Sequence, residues 1–203
     1  MMRAGTDSTH HYGVMPSPFD FSKATLQVPP FAIEANNAVQ HTENMVQYLP
    51  TLLDRQEGSL VLFSSRRQML EVYNSLSSHW QDMILMQGEH SKQAMLTQHK
   101  ERIDNNAGSI LFGLASFAKL PFSVPDDPVE ASLAEWVESR GGNAFMEISV
   151  PDASIKLIQS CGRLLRSEND TGIITILDKR LVSKRYGKSL LAALPAYQQQ
   201  LPA

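Results

Sequence analysis

Short apolar runs and longer stretches of helical spacing alternate along most of the chain. "SLVLFSS" (59–65) is a compact apolar run behind Gly58 that predicts a buried strand. "RRQMLEVYNSLSSHW" (66–80) follows at helical spacing, with Met69, Leu70, Tyr73 and Leu76 as its core face. "DMILMQG" (82–88) reads as a second strand, and "SKQAMLTQHKERIDNN" (91–106) as a helix capped by Ser91 and closed by Asn105–Asn106. "SILFGLAS" (109–116) predicts a third strand. Helices at about 126–139 and through 158–167, the strand "TGIITILD" (171–178) and a helix at about 180–194 complete the series. Such alternation implies βαβ units, hence an α/β domain with a doubly wound, mainly parallel sheet and helices on both faces.

The start of the chain lacks this rhythm. Residues 1–35 carry the breakers of "MPSPFDF" and "VPPF", which predict an extended lead-in rather than a folded unit, with the domain proper at 36–203. Between Asn37 and Leu53 the apolar positions Val39, Met45, Val46, Leu49, Leu52 and Leu53 suit an amphipathic helix, with Pro50 predicting a kink or early end.

Composition narrows the function classes. With 42% hydrophobic and 19% charged residues, the 203-residue chain is that of a soluble globular protein, long enough to bury one good core. A net charge of −3 supplies no overall basic field, so nucleic-acid binding would need a local patch. The lone Cys161 excludes an internal disulfide or a self-contained thiolate metal cluster. No apolar run approaches a membrane span and no signal-peptide core is present, so no membrane partner and a cytoplasmic location are expected.

In doubly wound sheets ligands bind beyond the carboxyl ends of the strands. Those ends are Ser64-Ser65-Arg66, Gln87-Gly88-Glu89-His90 and Gly113 to Ser116. The stretch "IQSCGRLLRS" (158–167) adds a second candidate: Gln159, Arg163 and Arg166 share a ridge opposite an apolar face of Leu157, Ile158, Cys161, Leu164 and Leu165. Guanidinium forks there can bind phosphate oxygens bidentately, and an ordinary solvated basic face is the alternative. Gly162, inside a predicted helix, needs a packing or close-approach reason. Cys161 falls on the apolar side and reads as a small core residue.

Other signals fail on spacing. Gly187-Lys188-Ser189 resembles the tail of a phosphate-binding P-loop, but position 182 is Val182 and the segment is helical. No G-x-G-x-x-G follows a strand, which disfavours a Rossmann-like transferase. His10, His11, His90 and His99 show no metal-ligand spacing, and Ser64 and Ser65 lack a G-x-S-x-G setting. Trp80 and Trp136 read as core residues at helix ends.

In order, "SPF" (17–19), "LVLFSSRRQM" (60–69), the strand ending "MQG", "ILFGLASFA" (110–118) and "IQSCGRLLRS" leading to "GIITILDKR" (172–180) resemble the second RecA-like motor domain of DinG-type helicases, relatives of XPD in superfamily two. The likeness runs from about Ser17 to Leu194, and its most specific part is Q-x-x-G-R-x-x-R at 159–166 with "DKRL" (178–181) after the next strand. By this resemblance "LVLFSSRRQM" is motif IV, with Ser64, Ser65 and Arg66 near the DNA path. "FGLASFA" begins motif V, with Gly113 and Ser116 near DNA, and "QSCGRLLR" is motif VI. In motif VI, Gln159 and Gly162 would contribute to ATP binding and Arg163 and Arg166 would be catalytic.

The resemblance implies an ATP-dependent helicase that moves five-prime to three-prime on single-stranded DNA. ATP with Mg2+ would be shared with a first motor domain joined in cis, and single-stranded-DNA-binding or replication proteins are possible partners. No Walker A, acidic motif II or iron–sulfur cysteines occur, so the cluster belongs to the other part and this chain alone is expected not to hydrolyse ATP. A second departure lies at 118–119, where Ala118 runs straight into Lys119-Leu120-Pro121. The family instead continues with an acidic-Gly-x-Asp-x-x-Gly stretch and a further strand. A non-catalytic RecA-like module that binds a protein partner is the competing expectation.

Overall fold

Gly58 does open a strand, and the predicted series largely follows. A computed structural model describes residues 17–114, 120, 122, 128–162, 164 and 170–202. In chain order its elements begin with β1 (Ala24–Gln27), α1 (Ala38–Leu52), β2 (Gly58–Phe63), α2 (Arg66–Ser75), α3 (Ser78–Gln81) and β3 (Ile84–Met86). They continue with α4 (Lys92–Asp104), β4 (Ser109–Leu114), α5 (Pro128–Ser139), α6 (Val150–Cys161) and β5 (Gly172–Thr175). The last are α7 (Arg180–Ser183), α8 (Arg185–Ala193) and β6 (Gln198–Gln200).

Every strand pairing is parallel, and helices lie on both sides of the sheets, as an α/β fold requires. The strands form two three-stranded sheets, β2-β4-β3 and β5-β1-β6, where one doubly wound sheet was expected. The central strands β4 and β1 have two neighbours each, and among the described residues the outer strands β2, β3, β5 and β6 each bond on one side. Two hydrophobic clusters correspond to the two sheets, one around Phe63, Met69, Ile110 and Phe112 and one around Leu26, Ala153, Leu181 and Leu190.

The sheets are tied together from both directions. Leu177, just past β5, packs against the first cluster, and its carbonyl meets His41 Nε2 on α1 at 2.8 Å. Leu120, beyond β4, is buried in the second cluster.

Several expectations need correction. The lead-in at 1–35 contains β1, whose Ala24 and Leu26 are wholly buried at the centre of a sheet. Four residues carry too little periodicity to announce a strand, and the partner β5 lies about 150 residues further on. The helix predicted over 66–80 breaks at Leu76, whose ψ of 152° is extended, and restarts after Ser77. Met69, Val72 and Leu76 make its core face, while Leu70 is on the surface. In α1, Val39 is exposed and His41, Thr42, Met45 and Leu49 point inward. Pro50 is accommodated in the final turn, two residues before the helix ends. Trp136 is 53% exposed under the guanidinium of Arg140, whereas Trp80 is buried as expected.

Caps explain the ends that were legible. Asn37 accepts from the Val39 and Gln40 N–H groups, and Ser91 from Ala94. Asn106 takes φ 55° and closes α4, a conformation that asparagine tolerates.

The glycine of the P-loop look-alike has a packing role. Gly187 lies within α8, and a Cβ there would overlap the Leu181 carbonyl within α7. Gly187→Ala is therefore expected to cost about 1–3 kcal/mol, because backbone has to move. Urea denaturation checks this, and an unchanged midpoint would show that α7 and α8 can separate freely.

Candidate nucleic-acid interface and nucleotide-facing helix

The backbone register places four of the predicted residues on one rim. Leu62 pairs with Gly113 and Phe63 with Leu114, while Met86 pairs with Phe112. Ser64 and Gly88, one and two residues beyond β2 and β3, therefore come level with the end of β4. Sequence after each strand end then determines what the rim presents.

After β2 the chain must turn into α2, and Ser65 makes the turn. Its extended backbone and side-chain oxygen, which accepts from the Gln68 N–H at 3.2 Å, cap the helix. Ser64 donates to Gln68 Oε1 at 3.3 Å. Gln68 is buried, and its Nε2 lies 3.1 Å from His41 Nδ1 and 3.2 Å from Thr42 Oγ1. Because His41 Nε2 faces the Leu177 carbonyl, the Nε2–H form satisfies both ends: it donates to that carbonyl and accepts from Gln68. A buried polar chain thus runs from the rim to the segment following β5.

Arg66, first residue of α2, is exposed and reaches across to the turn after β3. Gly88 has φ 100°, and a Cβ on it would lie 3.3 Å from Arg66 Nη1, 3.6 Å from Nη2 and 3.7 Å from Cζ. Gln87 ties the same turn to β4: its N–H donates to the Phe112 carbonyl at 2.9 Å, and its Oε1 accepts from the Leu114 N–H at 2.7 Å. Gly113 is half-buried beside Gln87 Oε1. Ser64, Ser65, Arg66 and Gly113 are thus brought together; Ser116 lies outside the described residues.

The second candidate is the end of α6. Ala153, Leu157 and Cys161 recur every four residues and bury one face, leaving Gln159 exposed on another. Burial pushes the Cys161 thiol up to about 11, which suits a core residue and not a nucleophile. Gly162 does not lie inside the helix; it is the C-cap, with φ −67° and ψ −5°, and its N–H donates to the Ile158 carbonyl at 2.8 Å. No helix-interior penalty arises. Leu164 then packs on Gly172, where a Cβ would meet its Cδ1 at 2.8 Å, so the chain after α6 is held to the first residue of β5. Arg163, Leu165 and Arg166 lie outside the described residues.

The "DKRL" stretch holds a buried cluster whose role the sequence did not disclose. Asp178 is 2% exposed and accepts from the Arg180 N–H at 3.1 Å, Nε at 2.9 Å and Nη2 at 2.6 Å. It also accepts from the Leu120 N–H at 3.3 Å and the Ala35 N–H at 3.5 Å. Burial works to raise its pKa, but the hydrogen bonds and charge of Arg180 and the Leu120 N–H prevail and hold it below the usual carboxylate value. The same partnership raises Arg180. The available signal was "DKR" directly after an apolar strand; its partners at 35 and 120 carry no local mark.

Among the described residues no three His, Cys, Asp or Glu side chains are grouped to hold a metal ion. These residues therefore do not fit a resident Mg2+. No helix among them is long and apolar enough to cross a membrane.

Comparison with known proteins shows what the chain is similar to. The sequence pattern of the helicase C-terminal domain matches residues 49–119 and 114–197. The ATP-dependent DNA helicase DinG of Photobacterium profundum is 41% identical over 215 residues, covering 95% of this chain and 30% of the relative. That of Escherichia coli K12 is 33% identical over 207 residues, covering 92% and 29%. The chain thus spans about 30% of the length of these curated relatives. The structure of S. tokodaii Xpd4 superposes with a TM-score of 0.67 at 16% identity, over 96% of this chain and 41% of that one, a likeness of fold. The chain belongs to the helicase C-terminal domain family.

Proposed function

We propose that the chain acts as the second motor domain of an ATP-dependent DNA helicase that moves five-prime to three-prime. The observation that carries this reading is the shared rim of Ser64, Ser65, Arg66 and Gly113 at the carboxyl ends of one parallel sheet. Such a rim, with an exposed guanidinium and hydroxyls, recognises a single-stranded backbone through its phosphates. Gln159 and Gly162 at the end of α6 face the ATP of the first motor domain, and Arg163 and Arg166 deliver positive charge to its γ-phosphate. Charge supplied by a second domain acts only in the closed cleft, which couples turnover to movement. Mg2+ and an iron–sulfur cluster belong to the first domain in this scheme, and the setting is cytoplasmic.

A non-catalytic module is favoured by one observation. The family pattern matches in two pieces that meet at 114–119, around the junction of Ala118 and Lys119. An alignment over 215 residues that covers 95% of a 203-residue chain also leaves about twenty positions with no residue here. A missing motif V stretch of that size would remove DNA contacts.

Fluorescence anisotropy with labelled oligo(dT), together with ATP turnover, decides between them. The motor reading expects the chain to bind single-stranded DNA at low salt, with log K falling by about 0.7 per phosphate contact against log salt. It expects no ATP turnover by the chain alone and turnover once a first motor domain is joined. Absence of turnover in the joined protein would favour the module, and no DNA binding at low salt would overturn the rim assignment.

A further inference from the structure

We propose that Gly88 and Gln87 are positioning residues that hold the Arg66 guanidinium on the rim as a contact for a nucleic-acid phosphate. The proposal rests on the reading of that rim as a DNA track. Three atoms of the guanidinium lie within 3.3–3.7 Å of where a Gly88 Cβ would stand, so the fork rests against a bare Cα. Neither of the two requirements at that position admits a side chain: the backbone φ of 100° favours glycine, and the space is filled by Arg66.

Among the described residues no ion-pair partner is found for Arg66, in contrast to Arg180, which is occupied by Asp178. An arginine side chain that is free to wander loses rotamer entropy when it binds; one already braced loses less. Gln87 supplies the brace by joining the turn to the Leu114 and Phe112 backbone, so that the Gly88 surface stays level with the end of β4. The far end of Arg66 is flexible, so the contact of a methyl group at position 88 is relieved by displacing the guanidinium, while the φ of 100° adds a backbone strain that the urea series registers separately. Phosphate of the backbone, not a base edge, is the ligand, because a single fork on an open rim reads charge and not sequence.

The test measures binding of the 203-residue chain to labelled oligo(dT) across a salt series, with urea denaturation alongside. Arg66→Ala is expected to weaken binding roughly tenfold at low salt and to reduce the salt slope by about 0.7, the signature of one lost phosphate contact. Gly88→Ala is expected to reproduce that slope change, and the double variant to be no weaker than Arg66→Ala alone. Gln87→Ala, which leaves the Gly88 backbone conformation unforced, is expected to show the same non-additivity.

A structural role unconnected to Arg66 would instead give additive losses and an unaltered slope. Either result, in Gly88→Ala or in Gln87→Ala, overturns the proposal. Failure of the unaltered chain to bind DNA would overturn the rim itself, a result distinguishable because it precedes any substitution.

Discussion

Alanine at Arg163 or Arg166, placed in a two-motor helicase that contains this chain, is expected to lower ATP turnover by about 10³–10⁵. The leaving phosphoryl group spreads charge over its oxygens, and an arginine delivered from a second domain offsets that charge only in the transition state. The described residues on either side are firmly held. Ala153, Leu157 and Cys161 anchor α6, Gly162 ends it, and Leu164 is pinned on Gly172. DNA affinity is expected to change little, because the rim is built on other elements. Lysine at either position is expected to restore only a small part of the rate, since it keeps the charge but loses the planar fork. Unchanged turnover in both alanine variants would refute the role.

Asp178→Ala is expected to destabilise the fold by about 3–5 kcal/mol, since it strands the Arg180 guanidinium without its partner. The loss also leaves the Leu120 and Ala35 N–H groups without their acceptor. Replacing Asp178 and Arg180 together by apolar residues of similar volume is expected to cost less than the single change. A pH signature accompanies it. The folded-state pKa of Asp178 is lowered, so its stabilisation is fully present above the unfolded value of about 3.9 and is lost as pH falls through the lower folded value. Urea midpoints measured from pH 7 down to strongly acidic conditions should fall at the acid end in the unaltered chain and less steeply in Asp178→Ala. Equal acid sensitivity would show that other carboxylates set it.

Much of the fold could be read locally. Ser91 and Asn106 bound α4, Ser65 starts α2, and β2 and β4 announce themselves as apolar runs. Each is settled within a turn or two of chain. The rim was partly legible for the same reason, since strand ends follow from strand positions. Its arrangement was not: Arg66 resting on Gly88, and Gln87 strapped to Leu114, depend on register between β2, β3 and β4.

The chain alone, through periodicity and caps, dictated an α/β order of elements and marked an arginine-bearing stretch after α6. Tertiary structure decided that β1 is a central strand, that β6 pairs although its three glutamines are all exposed, and that Trp136 faces outward. It also decided that Asp178 gathers Ala35, Leu120 and Arg180 around one buried carboxylate. Local signals decay over a few residues, whereas these contacts join positions up to 173 residues apart, as in Thr25 with Gln198; only a folded backbone can bring such partners within hydrogen-bond reach.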